Sequence, residues 1–388
     1  MFNQKRNLKY PSLFLICFFI STALFLNSCG RFILKDEGAE NKSIEELSGV
    51  SSARTNIDGL NTVIYEITQT VGSDGLLAGF FVVPEDGVSF LLSIFLGSNY
   101  NIKFDSLTDP SGKDILSASS TLYDASSGNI GTPGYANVLV PQSPSFSAKA
   151  GTWTFKANTN DRVSIALRTG STPSAATITI QPYITGTIWS ASDISVALII
   201  MKRIYSKNGI TLTINDTITI SDTQYTKVSK TFINSTTSAL VSQGVTEGVN
   251  LFFIEDYSVS DNLGNAPGIP GSMGTANSWN GVLISLAAHD VSGNTLDSQL
   301  LGETAAHEMG HQLGLFHTTE SGGTVFDILT DTAECRNGNI SAEECEGYGA
   351  ENVMFWTPWT PASRSAGKKQ ETLSSHQQHV LKYSPIAK

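Results

Sequence analysis

HEMGHQLGLFH, residues 307–317, is the stretch from which the rest of the chain can be read. On an α-helix, residues four apart share a face, so His307 and His311 can turn their imidazoles toward one ion while Glu308 stands beside them without being a ligand. Gly314 permits a backbone turn that a side chain would hinder, which ends the helix and brings His317 back as a third nitrogen. Three protein nitrogens leave the fourth position of tetrahedral zinc for water, the arrangement of a catalytic rather than a structural site. Zinc acidifies that water toward a pKa of about 7, and Glu308 can take its proton and pass it to a leaving amine. A bare HExxH arises by accident often enough. All five defining residues together are expected by chance only on the order of 10⁻⁵ times in a chain of this composition, which decides against a merely histidine-rich helix.

Those five residues, with a methionine further on, resemble the signature of the metzincin clan of zinc metallopeptidases, HExxHxxGxxH followed by a methionine turn. Glu351-Asn352-Val353-Met354-Phe355-Trp356 fits the second element, with Met354 lying 37 residues after His317. The resemblance covers about residues 175–388 and looks closest to pappalysin-like and reprolysin-like members. It implies an α+β catalytic domain with a twisted mixed sheet and an active-site helix, one catalytic zinc on His307, His311 and His317, and Glu308 as general base. It further implies Met354 as the hydrophobic floor below the ion, and protein or peptide substrates. In the clan a strand at the sheet edge, expected here at Val282–Leu286 after Gly268-Ile269-Pro270-Gly271, pairs with extended substrate as an added β-strand would. Two features of some relatives are missing. Trp356 stands where some metzincins carry a tyrosine ligand, and the only mature cysteine upstream of the motif is Cys29, so neither a tyrosine ligand nor latency through a cysteine thiolate is expected.

At 388 residues the chain is long enough for two domains with separate cores. Charged residues make up only 15% of it, which with abundant Ser, Thr, Asn and Gly suits β-rich exported domains better than helical bundles. The formal net charge is -11 and no basic cluster stands outside the extreme N-terminus, which argues against a nucleic-acid partner. That terminus reads as an address. Lys5, Arg6 and Lys9 precede the apolar run Leu13–Leu26, too short for a comfortable transmembrane helix. Leu26-Asn27-Ser28-Cys29-Gly30 then resembles a bacterial lipobox, in which Cys29 is lipidated and becomes the first mature residue; a plain secretion signal with an incidental cysteine is the alternative. The expectation is an exported, membrane-anchored lipoprotein at the outer membrane or cell surface of a bacterium. Loss of the signal, residues 1–28, removes three of the 24 positive charges and leaves 21 minus 35, or -14. Cys335 and Cys345, ten residues apart in an exported protein, read as one local disulfide.

Residues 29–55 read as a flexible tether. From 56 to 171, short apolar runs such as Phe80–Val83, Phe90–Leu96, Gly151–Lys156 and Val163–Leu167 are separated by turn residues, the pattern of an all-β sandwich domain. Asp109-Pro110-Ser111-Gly112 and Ala150-Gly151-Thr152-Trp153 resemble the small sandwich domains that accompany secreted bacterial proteases. Thr169–Ser174 is the candidate linker into the catalytic domain, residues 172–388. There Ile178, Ile180 and Ile184 share a strand face, and Ile194, Leu198, Met201 and Tyr205 recur at helical spacing with Gly209 as C-cap. Further strands are expected at Ile210–Ile214 and Val249–Ile254, with a helix around Phe232–Val241. Asn337–Ser341 with Glu344 has the residue order of the second half of an EF-hand, but Ala333 and Cys335 stand where its first ligands belong, so calcium there competes with a simple Asn-Gly turn. Acidic and amide side chains around Asp256–Asn265 are a second place for calcium. His289 reads as a solvated loop residue, and His376 and His379 as surface positions on a C-terminal helix.

These readings converge on a zinc-dependent endopeptidase acting on extracytoplasmic proteins. Two rivals remain. One is a catalytically inactive zinc-binding surface lipoprotein acting as an adhesin or ligand-binding module, which has no need to keep Glu308 beside all three histidines. The other applies the zinc chemistry to a non-peptide amide, for which no sugar- or lipid-binding pattern is evident.

Overall fold

A computed structural model describes residues 55–57, 59–95, 102–116, 134–159, 161–259, 261–320, 323, 325–336 and 341–388. The expected signal, Cys29 and all of the tether but its last residue lie outside the described residues, as do residues 337–340 of the calcium candidate. Up to Thr169 every regular element among the described residues is a strand: β1 (Thr55–Asn56), β2 (Thr62–Glu66), β3 (Gln69–Val71), β4 (Leu77–Val83), β5 (Gly87–Phe95), β6 (Phe104–Thr108), β7 (Tyr135–Val140), β8 (Gly151–Ala157) and β9 (Val163–Thr169). They form two antiparallel sheets, ordered β1-β2-β9-β5-β7 and β3-β4-β8-β6.

Strand β8 alternates as a one-sided strand should. Trp153, Phe155 and Ala157 are buried, and Thr152, Thr154 and Lys156 are exposed. Strands β5 and β7 do not alternate, for Val88 through Ile94 and the whole of β7 are buried. The cause is that the five-stranded sheet is covered on both faces. Phe90, Leu92, Ile94, Val138 and Ile165 face the four-stranded sheet, where Phe90 packs edge-on against Phe81 and Trp153. Ile64, Leu91, Leu139 and Ala166 face the other way, into a core shared with the second half of the chain.

That second half carries β10 (Ala176–Thr185), α1 (Ala191–Lys207), β11 (Ile210–Ile214), β12 (Ile218–Ile220), β13 (Lys227–Val228), α2 (Ser235–Val241), β14 (Val249–Ile254), β15 (Asp256–Tyr257), β16 (Gly264–Asn265), β17 (Val282–Ser285), α3 (Ser298–Gln312), α4 (Ala342–Cys345), α5 (Pro361–Ser365) and α6 (Ser375–Lys382). Its main sheet runs β11-β10-β14-β17-β16, with β12 continuing the pairing beside β10. All neighbours are parallel except β16, which is antiparallel to β17. Alternate side chains sort to two layers. Ile178, Ile180, Leu251, Phe253, Val282 and Ile284 meet α1 and α3 on one face, while Tyr183, Phe252, Ile254 and Leu283 meet α2 on the other. This is a mixed α/β domain with the long helix α3 laid across the sheet.

Helix α1 starts at Ser190, whose amide donates to Asp193 Oδ2 at 2.7 Å, and buries the stripe Ile194, Leu198, Met201 and Tyr205. The Tyr205 hydroxyl donates to the Ala306 carbonyl at 2.9 Å, tying α1 to α3 one residue before His307. Asp297 caps α3 by accepting from the Leu300 amide, and Arg364 pairs with the same carboxylate. Among the described residues no helix is long and apolar enough to cross a membrane.

One expectation is corrected by the topology. The strand at Val282 is interior, because Gly264 and Asn265 pair antiparallel with Ile284 and Leu283 on its far side, and the sheet edge is therefore β16. A strand buried on every residue is covered on both faces and flanked on both sides, whereas a two-residue strand has no periodicity to reveal it.

Candidate metal centre

His307 and His311 project from the last two turns of α3, one turn apart. The helix ends at Gln312, and Gly314, with φ +107°, reverses the chain so that His317 returns to the same point. The three imidazoles converge through Nε2. Those of His307 and His311 each stand 3.1 Å from that of His317. Every Nδ1 is engaged on the far side of its ring: His307 with the Val353 carbonyl at 2.7 Å, His311 with the Leu315 carbonyl at 2.7 Å, and His317 with Glu320 Oε2 at 3.0 Å. A ring that donates from Nδ1 while neutral presents a lone pair at Nε2. Burial holds His307 down to about 3 and His311 well below the ordinary imidazole range, so both are neutral near pH 7. Lone pairs on converging neutral rings cannot satisfy one another; a cation between them can. In a tetrahedron with bonds of about 2.0–2.1 Å the nitrogens would stand roughly 3.4 Å apart, close to the spacing seen, so the donor set fits zinc. Among the described residues this is the one group of three or more such side chains able to meet at a single ion.

Glu308 lies against the sheet edge. A Cβ added at Gly264 would come within 2.5 Å of its Cγ and 2.7 Å of its Oε1, so only glycine leaves room there for the carboxylate. Burial pushes the Glu308 carboxyl up to about 8; a divalent cation alongside would draw it back down. Both groups open on a cleft of about 580 Å³, walled by the run 262–269 on the β16 side and by Phe355, Trp356 and Thr357 on the other.

Beneath the histidines Met354 is fully buried, with its sulfur against Gly310 of α3. Its amide donates to Asn352 Oδ1 at 2.8 Å and its carbonyl accepts from Thr318, next to His317, at 3.0 Å. The Asn352 side chain is in turn paired with Gln377 of α6 at 2.8 Å. The Cys335–Cys345 disulfide is formed and sits in the cluster of Ala350, Phe355 and Trp359 that backs this wall of the cleft.

Residues 191–318, from the start of α1 to the residue after His317, match the family described as metallo-peptidase family M12B, reprolysin-like. This part of the chain is a metzincin-like zinc metallopeptidase domain. Among solved structures the chain is similar to mirolysin in complex with compound 9, at 17% identity over 54% of this chain and 91% of that one, with a TM-score of 0.37. It is also similar to archaemetzincin from Methanopyrus kandleri, at 13% identity over 54% of this chain and 87% of that one, with a TM-score of 0.26. Likenesses this distant add no weight to the family match and the histidines. No curated protein matches the chain.

The structure brings His307, Glu308, His311 and His317 together at one cleft, with Met354 buried beneath them against Gly310. The calcium expectation finds no support. Glu344, expected to close that loop, instead accepts from the Ser341 amide at 2.9 Å as the cap of α4, and Asp256 is paired with Lys227. His289 is buried rather than solvated, holding the Ser285 carbonyl and Thr304 Oγ1 from its two nitrogens. His376 and His379 lie on α6 as expected but half-buried, His379 stacked on Tyr383. Several residues that line this cleft are not marked as site residues by the sequence pattern, Glu320, Gly264 and Glu303 among them. Glu320 comes nearest to a signal, as a carboxylate three residues after the last histidine; Gly264 and Glu303 have none.

Proposed function

We propose that the protein is an exported zinc endopeptidase in which Glu308 is the general base, tethered to a bacterial membrane through lipid on Cys29 and acting on extracytoplasmic proteins. On this reading residues 56–171 form a β-sandwich accessory domain beside a catalytic domain of residues 172–388, and His307, His311 and His317 are the metal ligands. The observation that carries it is the convergence of three Nε2 atoms whose Nδ1 partners are all engaged elsewhere, with the Glu308 carboxyl at the same cleft. When bound, zinc supplies a Lewis acid that polarises a peptide carbonyl and makes water acidic enough to lose a proton near neutral pH. Glu308 receives that proton on a carboxylate oxygen beside β16 and delivers it to the departing amine nitrogen. The extended substrate lies along β16, antiparallel addition there holding its backbone while its side chains reach the cleft walls. Met354 and Gly310 keep water out from below the histidines.

Cleavage of a quenched-fluorescent peptide library by residues 30–388 tests the reading. Chelator-sensitive cleavage is expected, and Glu308→Gln should lower it by at least about 10³-fold while zinc stays near one per chain. Full activity in Glu308→Gln sinks the general-base assignment. No cleavage by a wild type carrying stoichiometric zinc sinks the peptidase.

A further inference from the structure

The strand β7 belongs to the first half of the chain, yet its outward face touches the metallopeptidase site at every second residue. Ala136, Val138 and Val140 point into the core between the two N-terminal sheets. Tyr135, Asn137 and Leu139 point the other way, and Gln142 follows them. Tyr135 stacks on Trp279 of the cleft with ring centroids 5.4 Å apart, and a Cβ at Gly268 would come within 2.8 Å of its ring. The buried Asn137 amide donates to the Pro270 carbonyl at 3.0 Å, directly after the cleft-lining run that ends at Ile269. Leu139 fills the space where a side chain at residue 314 would project, for a Cβ there would lie 2.7 Å from its Cδ2. Gln142 Nε2 donates to the Gly314 carbonyl, at the turn between His311 and His317.

The two anchor points are joined. The Gly271 amide donates to the Gln312 carbonyl at 3.1 Å, and the Gln312 side chain donates to the Ser272 carbonyl at 2.7 Å, so two hydrogen bonds tie the wall at Pro270 to the end of α3. A strand spaces alternate residues by roughly 6.5–7 Å, enough for a few positions of one strand to span cleft wall and histidine turn. We infer that β7 is a working part of the peptidase site: Gln142 is a positioning residue for His317, acting through the Gly314 turn, and Asn137 is a positioning residue for the substrate-binding wall, acting through Pro270. The N-terminal half is then a component of the catalytic apparatus rather than a neighbour of it. This rests on the metal-centre reading above.

The test uses residues 30–388 throughout, with zinc affinity read by competition with a chromophoric chelator and peptide cleavage read as kcat and KM. Gln142→Met keeps the length of the side chain and removes its donor; a 10- to 100-fold weaker zinc affinity is expected, roughly the cost of losing a hydrogen bond that orients a ligand. Asn137→Leu should raise KM several-fold with zinc affinity unchanged. Val138→Ala, on the opposite face of the same strand, is the control for general damage: it should lower the melting temperature and leave zinc affinity and KM alone. Unchanged zinc affinity in Gln142→Met overturns the inference, and so does a loss in Val138→Ala as large as that in Gln142→Met. A wild type that binds zinc but cleaves nothing overturns the peptidase reading instead, and the zinc comparison between the two variants still decides the role of Gln142.

Discussion

Each imidazole of the site is aimed by the group behind it, and these groups come from very different distances along the chain. Glu320 is three residues from His317, while Val353 is 46 residues from His307. Such partners fix ring orientation and raise ligand basicity, so Glu320→Ala should weaken zinc binding by about tenfold, toward the low end of such effects because Glu320 is partly exposed, measured by chelator competition. Asp327 allows a prediction about pH. It is mostly buried, its Oδ1 accepts from the Leu329 amide and the Thr332 hydroxyl, its Oδ2 has no hydrogen-bond partner among the described residues, and burial raises its carboxyl from 3.8 to about 7. The folded chain therefore holds this proton more tightly than the unfolded chain does, and stability is lost as pH rises from 3.8 through about 7. Asp327→Asn removes that loss, so its melting temperature relative to wild type should climb across this window and level off above it; a constant difference would contradict the account. The convergence of the three histidines was legible because a helix repeats every four residues and a glycine stands at the reversal. Their supports were not, since no local pattern announces that Gln142 will meet Gly314 or that His289 will be enclosed by Ser285 and Thr304.

At the scale of elements, strands with one wet face declared themselves, as in the alternation of Thr152 to Lys156, and so did the apolar stripe of α1. Long buried strands such as Val249–Ile254 were equally plain, since an apolar run bounded by turns has few other uses. What the pattern could not supply was the order of strands in the sheet, so β17 was expected at the edge and the two-residue β16 went unseen. Packing between helices was also silent. Helices α1 and α3 approach so closely that a Cβ at Gly302 would lie 2.7 Å from Ile200 Cγ2 and 2.8 Å from the Ala197 carbonyl. Gly302→Ala should gain from helix propensity yet lose more by forcing α1 away, a net destabilisation of about 1–3 kcal/mol in denaturant unfolding. A stabilised variant would mean that the two helices separate without strain.

For the whole molecule, the sheet with two buried faces matters most. Ile64, Leu91, Leu139 and Ala166 share a core with α1 and α3, and Arg168 donates to the carbonyls of Lys382 and Ser384. Residues 55–388 should therefore unfold in one calorimetric transition, and residues 172–388 produced alone should aggregate or bind zinc poorly, since their side of that core would face water. Two well-separated transitions in the long chain would show that the halves fold independently. Little in β5 hinted at this: Ser89 and Ser93 alternate with Val88, Phe90, Leu92 and Ile94 as in a strand with one wet face, and only Leu91 departs from that pattern. The sheet edge has a final consequence. Gly264–Asn265 is two residues long, and Pro267 and Pro270, just beyond it, lack the amide hydrogen that a growing ladder requires. An edge so brief cannot template the stacking of one copy on another, so the molecule can keep a sticky backbone open to solvent without polymerising through it. On the proposed reading, in which substrate pairs with this edge, the same brevity would let cut fragments leave quickly and would leave discrimination among peptides to the cleft walls.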